Sequence, residues 1–523
     1  MKEWLKTAVF YEIYPQSFYD TNGDGIGDLP GIIAKLDYIR GLGCNALWIN
    51  PCFDSPFKDA GYDVRDYKKV APRYGTNEDL CALFAAAHEK GIRVLLDLVP
   101  GHTSEEHEWF RASCRPERSE YSDRFIWTDS CFDWGDGMPF IGGETERNGT
   151  YILNFFKCQP ALNYGYGERR QKWQQSPDAP GPRATVEAMK DVMRFWLDRG
   201  CDGFRVDMAS SLVKNDTKDK KYTCAVWRDI SAMLQAEYPE AALVSEWNDP
   251  KLSLRCGFDI DFMLEHPNSG YSWLMRNYDG ATDSNPHNIG NCYFCADSDV
   301  GIHEFLDRWL PLYKTTRKDG LYCPITCNHD TIRPSAGLTV EELKLAYAFL
   351  FTLPGAPFLY YGDEIGMRYL PLPTKEGGYF RTGSRTPMQW GRGRNLGFSR
   401  AKPEKLYLPV DPSEDAPTVA AQDKDPFSLL NTVREILALR AACPDLNADA
   451  PFKALYAPDP KMDGSRAFAY KRGSLVCAVN PARTAAELPL GLKKGLQPLF
   501  ALGGGGTKDG TLWLEPQSFV VLG

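Results

Sequence analysis

Three carboxylates of this sequence stand where apolar, strand-like runs end. Asp207 follows the run beginning CDGFRV, Glu246 follows ALVS, and Asp330 follows CPITC. His102 and His329 lie close to the ends of two such runs. Bringing three carboxylates and these histidines together in a partly buried place is very costly unless function requires it. The residue types therefore predict a catalytic site.

A set of three carboxylates suits glycoside hydrolysis. One carboxylate attacks the anomeric carbon, and a second, protonated carboxyl group delivers its proton to the leaving oxygen. In a retaining enzyme these two groups lie about 5–5.5 Å apart. A third carboxylate stabilises the positive charge that develops on the sugar ring. The set therefore fits a double-displacement glycosidase.

The elements that must position these residues are strands and helices that alternate over most of the chain. The strand candidates begin at Ala8, Asn45, Arg93, Cys201, Ala242, Phe258, Cys323 and Ala356. Near-continuous apolar runs are typical of parallel strands that are covered on both faces. Helices are predicted at 77–90 after Thr76 and at 186–199 after Thr185, with Gly91 and Gly200 as their stops.

This alternation predicts an α/β fold, a closed (β/α)₈ TIM barrel, which holds its chemistry at the carboxyl ends of its strands. A doubly wound open sheet is the alternative, but eight strands without a glycine-rich phosphate turn weigh against it. We expect the barrel to comprise residues 1–102 and 166–442. The long interval at 103–165 predicts an inserted subdomain, and short strands at 443–523 predict a C-terminal antiparallel β-sandwich domain.

The bulk composition excludes several classes of function. The net charge of −9 provides no basic surplus for binding nucleic acid. We find neither an export signal nor an apolar window of about 18 residues, so we expect a cytoplasmic protein without a membrane segment. The fifteen cysteines are an odd number and scattered, which favours reduced thiols over a disulfide framework. Cys292 and Cys295 form a lone C-x-x-C without a second correctly spaced pair, so a zinc or redox role is not predicted and stays open.

The short motifs around the carboxylates resemble those of the α-amylase family of glycoside hydrolases. The matches are GFRVD at 203–207, LVSEW at 243–247 and NHD at 328–330, in family order and at family spacing. DLVPGH at 97–102 and QPALN at 159–163 match two further motifs less closely. The resemblance implies a role for each matched residue: Asp207 is the nucleophile, Glu246 is the acid/base, Asp330 stabilises the transition state, Arg205 orients the nucleophile, and His102 and His329 bind hydroxyls of the sugar being cleaved.

A second pair of segments resembles the α-glucosidase branch of that family. DAGYD at 59–63 matches the segment where the family places a stacking tyrosine, here Tyr62. In that branch, the position of Asp59 pairs with the arginine of an RTPMQW motif, here Arg385. Such a charged clamp grips the hydroxyls of a terminal sugar and blocks a longer chain. We therefore expect an exo-acting α-glucosidase that acts on maltose-type oligosaccharides.

Other activities of the same architecture stay open. Members that transfer or isomerise, such as trehalose synthases and sucrose-acting enzymes, differ in how well water is excluded from the glycosyl-enzyme. The remaining alternatives are an endo-acting α-amylase and a catalytically inert, transporter-associated scaffold. Scaffolds of that kind carry a membrane segment and degraded carboxylates, and this sequence shows neither feature. Met208, directly after the nucleophile, fits neither linkage pattern of the branch, so the linkage stays open with a preference for α-1,4.

The segment DTNGDGIGD at 20–28 predicts a metal loop. It resembles the first part of an EF-hand loop, with Gly25 at the sharp turn and Gly31 in place of the bidentate glutamate. Family members of this branch hold Ca²⁺ (or Mg²⁺) in such a loop, and we expect one structural ion. Its binding positions are Asp20, Asn22, Asp24, Ile26 and Asp28. A second calcium site of many amylases uses two positions that are Gly101 and Ala161 here, so we expect no ion there.

Overall fold

The computed structural model of this chain describes residues 1–264, 270–276, 291–377 and 381–523. The chain forms two compact units. Unit one consists of Met1–Leu47, Phe262–Thr374 and Tyr379–Gly523, and unit two consists of Trp48–Asp261 and Lys375–Gly378.

Eight parallel strands form the main sheet, and almost all of their residues are buried. Their bounds are β1 Phe10–Ile13, β2 Ala46–Ile49, β3 Arg93–Leu98, β4 Gly203–Val206, β5 Ala242–Ser245, β6 Ile260–Phe262, β7 Leu321–Cys323 and β8 Phe358–Tyr360. Their order in the sheet is β7-β6-β5-β4-β3-β2-β1-β8. A parallel bridge between Ile325, just after β7, and Phe358 of β8 closes the sheet on itself. The predicted barrel is confirmed.

The helices include the two that the sequence predicts. The α-helices are Leu29–Ala34, Leu36–Leu42, Asn77–Glu89, Glu108–Ser113, Pro180–Leu197, Lys221–Glu237, Pro250–Ser253, Ser272–Met275, His303–Thr316, Val340–Thr352, Val419–Gln422, Leu429–Ala442 and Pro460–Asp463. Thr76 caps the first predicted helix in a capping box with Asp79. The helix predicted at 186–199 was placed too late. It begins at Pro180, because proline suits the first turn of a helix, where its missing N–H is not needed.

The inserted segment at 103–165 has a small core of its own within unit two. A hairpin of Phe140–Gly142 and Thr150–Ile152 belongs to it. Ile126, Ile152 and Ala161 pack together with Tyr166, one residue beyond the predicted boundary. A shorter strand pair, Phe53–Asp54 with Asp66–Val70, lies between β2 and β3 in the chain. The exact domain boundaries stay predictions.

The C-terminal residues form two antiparallel sheets, as predicted. Their strands are β9 Phe452–Tyr456, β10 Phe468–Arg472, β11 Leu475–Asn480, β12 Ala486–Pro489, β13 Pro498–Leu502, β14 Gly505–Lys508, β15 Thr511–Leu514 and β16 Ser518–Leu522. The sheet orders are β9-β10-β11-β16-β13 and β12-β15-β14. Ala478 of one sheet and Leu488 and Leu512 of the other share one apolar core, which is the packing of a β-sandwich.

The cysteines depart from the prediction at one pair. Cys224 and Cys256 form a disulfide, whereas the other thirteen cysteines, Cys292 and Cys295 included and all within the described residues, are thiols. The two bonded residues are 32 positions apart in the sequence, but their Cα atoms lie 4.6 Å apart. The fold brings helix Lys221–Glu237 against the turn that contains Cys256, which no local pattern indicates. Across the described residues, no helix has the length and apolarity that crossing a membrane requires.

Candidate active site

The parallel ladder of unit two positions the first two predicted catalytic carboxylates. The N–H of Asp207 donates to the carbonyl of Leu98 over 2.9 Å, and the N–H of Glu246 donates to the carbonyl of Val206 over 3.1 Å. Each bond continues the sheet by one residue beyond the end of its strand. Asp207 and Glu246 therefore lie directly at the carboxyl edge of the sheet, where barrel enzymes hold their chemistry.

One buried guanidinium group holds both of these carboxyl groups. Nη1 of Arg205 lies 3.2 Å from Oδ1 of Asp207, and its Nη2 lies 2.9 Å from Oε1 of Glu246. Nη1 also lies 2.8 Å from Oδ1 of Asp97, and the side chains of Arg205 and Asp97 are fully buried. Since the two nitrogens belong to one planar group, the carboxyl groups of Asp207 and Glu246 are close neighbours.

The charge state of this cluster follows from burial and proximity. Burial and the neighbouring Glu246 raise the pKa of Asp207 well above its ordinary value, whereas Arg205 opposes the shift. Burial and the charge of Glu246 thus disfavour the ionised form of Asp207, whereas the guanidinium group of Arg205 favours it. A double displacement requires one carboxylate and one carboxylic acid in its first step.

Asp97 connects the carboxylate cluster to Tyr62, the predicted sugar-stacking residue. Its Oδ2 accepts hydrogen bonds from Nε1 of Trp48 over 3.1 Å and from the hydroxyl of Tyr62 over 2.9 Å. Burial raises the pKa of Asp97 to about 6, and Arg205 opposes that shift. In the sequence, Asp97 stands out only as the first residue of the motif DLVPGH. The structure shows it as the common partner of Trp48, Tyr62 and Arg205.

Met208 has an unusual backbone that serves the predicted acid/base residue. Its φ of 44° lies in the left-handed region, which a non-glycine residue rarely adopts. In this conformation its N–H donates to Oε2 of Glu246 over 2.9 Å. Glu246 is thus held on one oxygen by Arg205 and on the other by Met208.

Two predicted sugar-binding residues of unit two are buried. Nε2 of His102 lies 3.1 Å from the carbonyl oxygen of Tyr62. Burial lowers the pKa of His102 to about 3, so the ring is neutral at physiological pH. Asp59 accepts a hydrogen bond on Oδ2 from Nε2 of Gln159 over 2.6 Å. Gln159 therefore orients the acidic half of the predicted clamp.

Unit one contains the third carboxylate in a cationic setting. Oδ1 of Asp330 accepts from Nη1 of Arg381 over 2.9 Å and from Nη2 of Arg385 over 2.7 Å. Nε2 of His329 lies 3.3 Å from Oδ2 of Asp330, and its Nδ1 lies 2.9 Å from Oε1 of Glu12. Burial alone would raise the pKa of Asp330. His329, Arg381 and Arg385 outweigh burial and hold that pKa well below its ordinary range.

Arg381 and Glu12 are two site residues that were not predicted from the sequence. The available signal for Arg381 was its position four residues before Arg385, on the other side of the buried turn Thr382–Ser384. For Glu12 the signal was a charged residue inside the apolar strand β1. The predicted pairing of Asp59 with Arg385 concerns residues of different units and stays a prediction.

In the predicted metal loop, two aspartates accept hydrogen bonds from nearby backbone N–H groups. Asp20 accepts from the N–H groups of Gly23 and Gly25 over 2.6 and 2.8 Å, and Asp28 accepts from that of Gly31 over 2.7 Å. The donor set is all oxygen, which fits a hard cation such as Ca²⁺. In the part of the chain that the structure describes, no three acidic, His or Cys side chains gather as a metal cluster. The ion therefore stays a prediction.

The chain matches the family described as Alpha amylase, catalytic domain, over residues 12–449. It is 34% identical over 501 residues to Trehalose synthase/amylase TreS of Mycolicibacterium smegmatis, covering 88% of this chain and 79% of that protein. It is 32% identical over 521 residues to Oligo-1,6-glucosidase of Heyndrickxia coagulans, covering 88% and 89% of the two chains. A solved variant of MutB in complex with the substrate sucrose is 25% identical, with a TM-score of 0.80 over 100% of this chain and 99% of that one.

The family match spans most of the chain, and both relatives exceed 30% identity over more than two thirds of their own lengths. The closed parallel barrel and the motif residues at the ends of its strands fit the same family. The chain belongs to the α-amylase family of glycoside hydrolases.

Proposed function

We propose that this protein is a retaining, exo-acting α-glucosidase that removes terminal α-linked glucose from maltose-type oligosaccharides. The observation that carries the proposal is the contact of one guanidinium group, that of Arg205, with both Asp207 and Glu246. An inverting enzyme needs room for a water molecule between its two carboxyl groups, which lie about 6.5–9.5 Å apart. Two carboxyl groups on one guanidinium favour the closer spacing of a retaining enzyme.

In the first step, Asp207 attacks the anomeric carbon while Glu246 gives its proton to the departing glycosidic oxygen. A covalent glycosyl-enzyme forms, and the shortened chain leaves. In the second step, Glu246 takes a proton from a water molecule whose oxygen attacks the same carbon. Glucose leaves with its configuration retained, and Asp207 regains its negative charge. Arg205 keeps both carboxyl groups oriented through the two steps.

Asp330 is the third carboxylate of the proposal. Arg381 and Arg385 keep it ionised, so its negative charge is available to an oxocarbenium-like ring without a proton having to leave first. Asp330 lies in the loop after β7, seven residues beyond Cys323, whereas Asp207 directly follows β4. Barrel enzymes place catalytic groups at and just beyond the carboxyl ends of their strands. His329 and His102 are proposed to bind hydroxyls of the same sugar.

Isomerisation is the second candidate function, and the names of the relatives are the reason to consider it. One is named a trehalose synthase/amylase, another an oligo-1,6-glucosidase, and the MutB variant holds sucrose. Such enzymes share the first step, and they differ in the acceptor that attacks the glycosyl-enzyme. Water gives hydrolysis, whereas a retained sugar hydroxyl gives an isomeric disaccharide.

The test is product analysis by proton NMR during incubation with maltose, isomaltose, sucrose and trehalose. Hydrolysis predicts release of monosaccharides, with the α-anomer of glucose appearing before mutarotation. An isomeric disaccharide accumulating faster than glucose would replace the glucosidase proposal with the isomerase. Initial release of β-glucose would overturn the retaining mechanism, and no consumption of any α-glucoside would overturn both candidates.

A further inference from the structure

Asn154 connects His102 to a lysine that the proposed mechanism does not use. Its Oδ1 accepts a hydrogen bond from Nζ of Lys214 over 2.7 Å, and its Nδ2 lies 3.0 Å from Nδ1 of His102. The same Nδ2 lies 3.8 Å from Sδ of Met208, and Nζ of Lys214 also donates to the carbonyl of Ser211 over 3.0 Å. All five residues belong to unit two.

The order of donors and acceptors from Lys214 through Asn154 to His102 determines which nitrogen of the His102 ring carries the proton. An ammonium group can only donate, so Lys214 selects the oxygen of the Asn154 carboxamide. The amide nitrogen then faces His102, and it too can only donate. Nδ1 of His102 must therefore carry the lone pair. The remaining proton is on Nε2, where it points at the carbonyl oxygen of Tyr62.

A protonated imidazole does not fit this arrangement. A proton on Nδ1 would face the Asn154 amide group, donor against donor. The low pKa of His102, caused mainly by burial and also by Lys214, agrees with a neutral ring. Burial lowers the pKa of Lys214 to about 8, with a smaller contribution from Lys220, so the ammonium form prevails at neutral pH.

The surrounding backbone leaves room for the hydrogen-bonded series Lys214, Asn154 and His102, and it fixes the position of Lys214. A Cβ atom on Gly101 would lie 2.9 Å from Nδ2 of Asn154, so a larger residue there would displace the carboxamide. The N–H of Lys214 donates to the carbonyl of Gly165 over 3.0 Å, and Lys214 forms a parallel bridge with Tyr166. The lysine thus starts from a fixed backbone position.

We propose that Asn154 and Lys214 are positioning residues that hold His102 in its neutral Nε2–H tautomer, ready to donate to a hydroxyl oxygen of the bound sugar. The use of that hydrogen rests on the proposed function, whereas the tautomer itself does not. The contact of Asn154 with Met208, whose N–H holds Glu246, ties the same chain to the acid/base residue.

The direct test is nitrogen NMR of the imidazole rings in the full-length protein labelled with ¹⁵N-histidine. The chain has only 7 histidines, and His102→Gln assigns the signal of interest. At pH 7, we expect the wild-type ring to show a bare Nδ1 and a protonated Nε2. Asn154→Asp has nearly the same size but can only accept, so it should move the proton to Nδ1 or produce the imidazolium. An Nδ1–H ring in the wild type, or an unchanged ring in Asn154→Asp, would overturn the proposal.

Kinetics provide the second measurement. We expect Asn154→Asp and Lys214→Met to lower kcat/KM for the best α-glucoside about tenfold or more, as expected for a lost hydrogen bond to the reacting sugar. Lys214→Arg retains a donor-only cation and should recover part of that loss. The exposed Lys218→Met is the matched control and should behave as wild type, with thermal unfolding used to compare folding.

The two measurements separate failure of this inference from failure of the proposed function. The expected wild-type tautomer in a protein that turns over no α-glucoside would leave the positioning role intact and remove the glucosidase. Normal turnover in a well-folded Asn154→Asp with an unchanged ring would remove the positioning role and leave the glucosidase.

Discussion

Arg381 donates from Nη1 to Oδ1 of Asp330 over 2.9 Å, and this contact explains much of the carboxylate's charge state. Cations hold the pKa of Asp330 well below its ordinary range and so favour its ionised form. Arg381→Met should raise that pKa and lower kcat about tenfold or more. The acidic limb of the kcat/KM profile should move to higher pH, so the loss is larger at pH 5 than at pH 7. The exposed Arg392→Met is the control, and an unshifted acidic limb in Arg381→Met would contradict this role.

The two central carboxyl groups provide the sharpest activity prediction. Asp207→Asn and Glu246→Gln should each lower kcat for natural substrates by roughly 10³-fold or more while the thermal midpoint changes little. The exposed Asp219→Asn is the matched control and should retain wild-type rates. An α-glucosyl fluoride needs no proton on its leaving group, so it should restore the first step in Glu246→Gln but not in Asp207→Asn. Equal rescue of both variants would reverse or remove the assignment.

The clamp is best tested through Asp59. Arg385 also contacts Asp330, so any change there disturbs a proposed catalytic group. With the clamp intact, a long maltodextrin should release glucose one unit at a time from its non-reducing end. Asp59→Ala should raise KM for short substrates, because the terminal hydroxyls lose a charged acceptor. Early maltotriose and longer products from the wild type would instead favour an open, endo-acting groove.

The metal prediction can be separated from catalysis. Chelation should lower the thermal midpoint by a few degrees and leave turnover intact, since the loop at Asp20–Asp28 contributes no group to the proposed reaction. Asp24→Asn retains an oxygen that can accept from the N–H of Ile26, a contact of 2.8 Å in the wild type, but it removes one negative ligand. Its midpoint should be lower from the start and less sensitive to chelator. An ion bound beside Gly101, or chelation that abolishes turnover in a folded protein, would contradict the prediction.

A buried glutamate outside the site predicts a pH dependence of stability. Glu364 accepts hydrogen bonds from the hydroxyls of Tyr11 and Tyr38, both over 2.7 Å, yet burial raises its pKa to about 6. A raised pKa means that the folded protein binds this proton more tightly than the unfolded chain. The contribution is therefore full below the ordinary pKa near 4.5 and is lost as the pH rises through about 6.

The loss amounts to about 2 kcal/mol of unfolding free energy. Denaturant titrations of the wild type and Glu364→Gln at pH 4.5 and 7 measure it. Between pH 4.5 and 7, the unfolding free energy of Glu364→Gln should rise by about 2 kcal/mol relative to that of the wild type, whatever the variant's stability at pH 4.5. A constant difference between the two proteins would show that Glu364 does not titrate in this range.

Local sequence patterns were enough to predict the barrel strands, a helix N-terminus and two of the three carboxylates. Continuous apolar runs identified the barrel strands, because a parallel strand covered on both faces needs apolar residues throughout. Thr76 marked a helix start that the structure confirms. Asp207 and Glu246 could be chosen because each directly follows such a run, so one residue of continued pairing places it at the edge of the sheet.

Tertiary structure alone decided the contacts between distant segments. Arg381 and Asp330 are 51 positions apart, Asn154 and Lys214 are 60 apart, and Cys224 and Cys256 are 32 apart. Nothing near any of these residues in the sequence indicates its partner, because the packing of separate segments decides where they meet and no local pattern describes that packing. The same holds for the proton on His102. Its location follows from the order in which Lys214, Asn154 and the imidazole come together, and that order exists only in the folded chain.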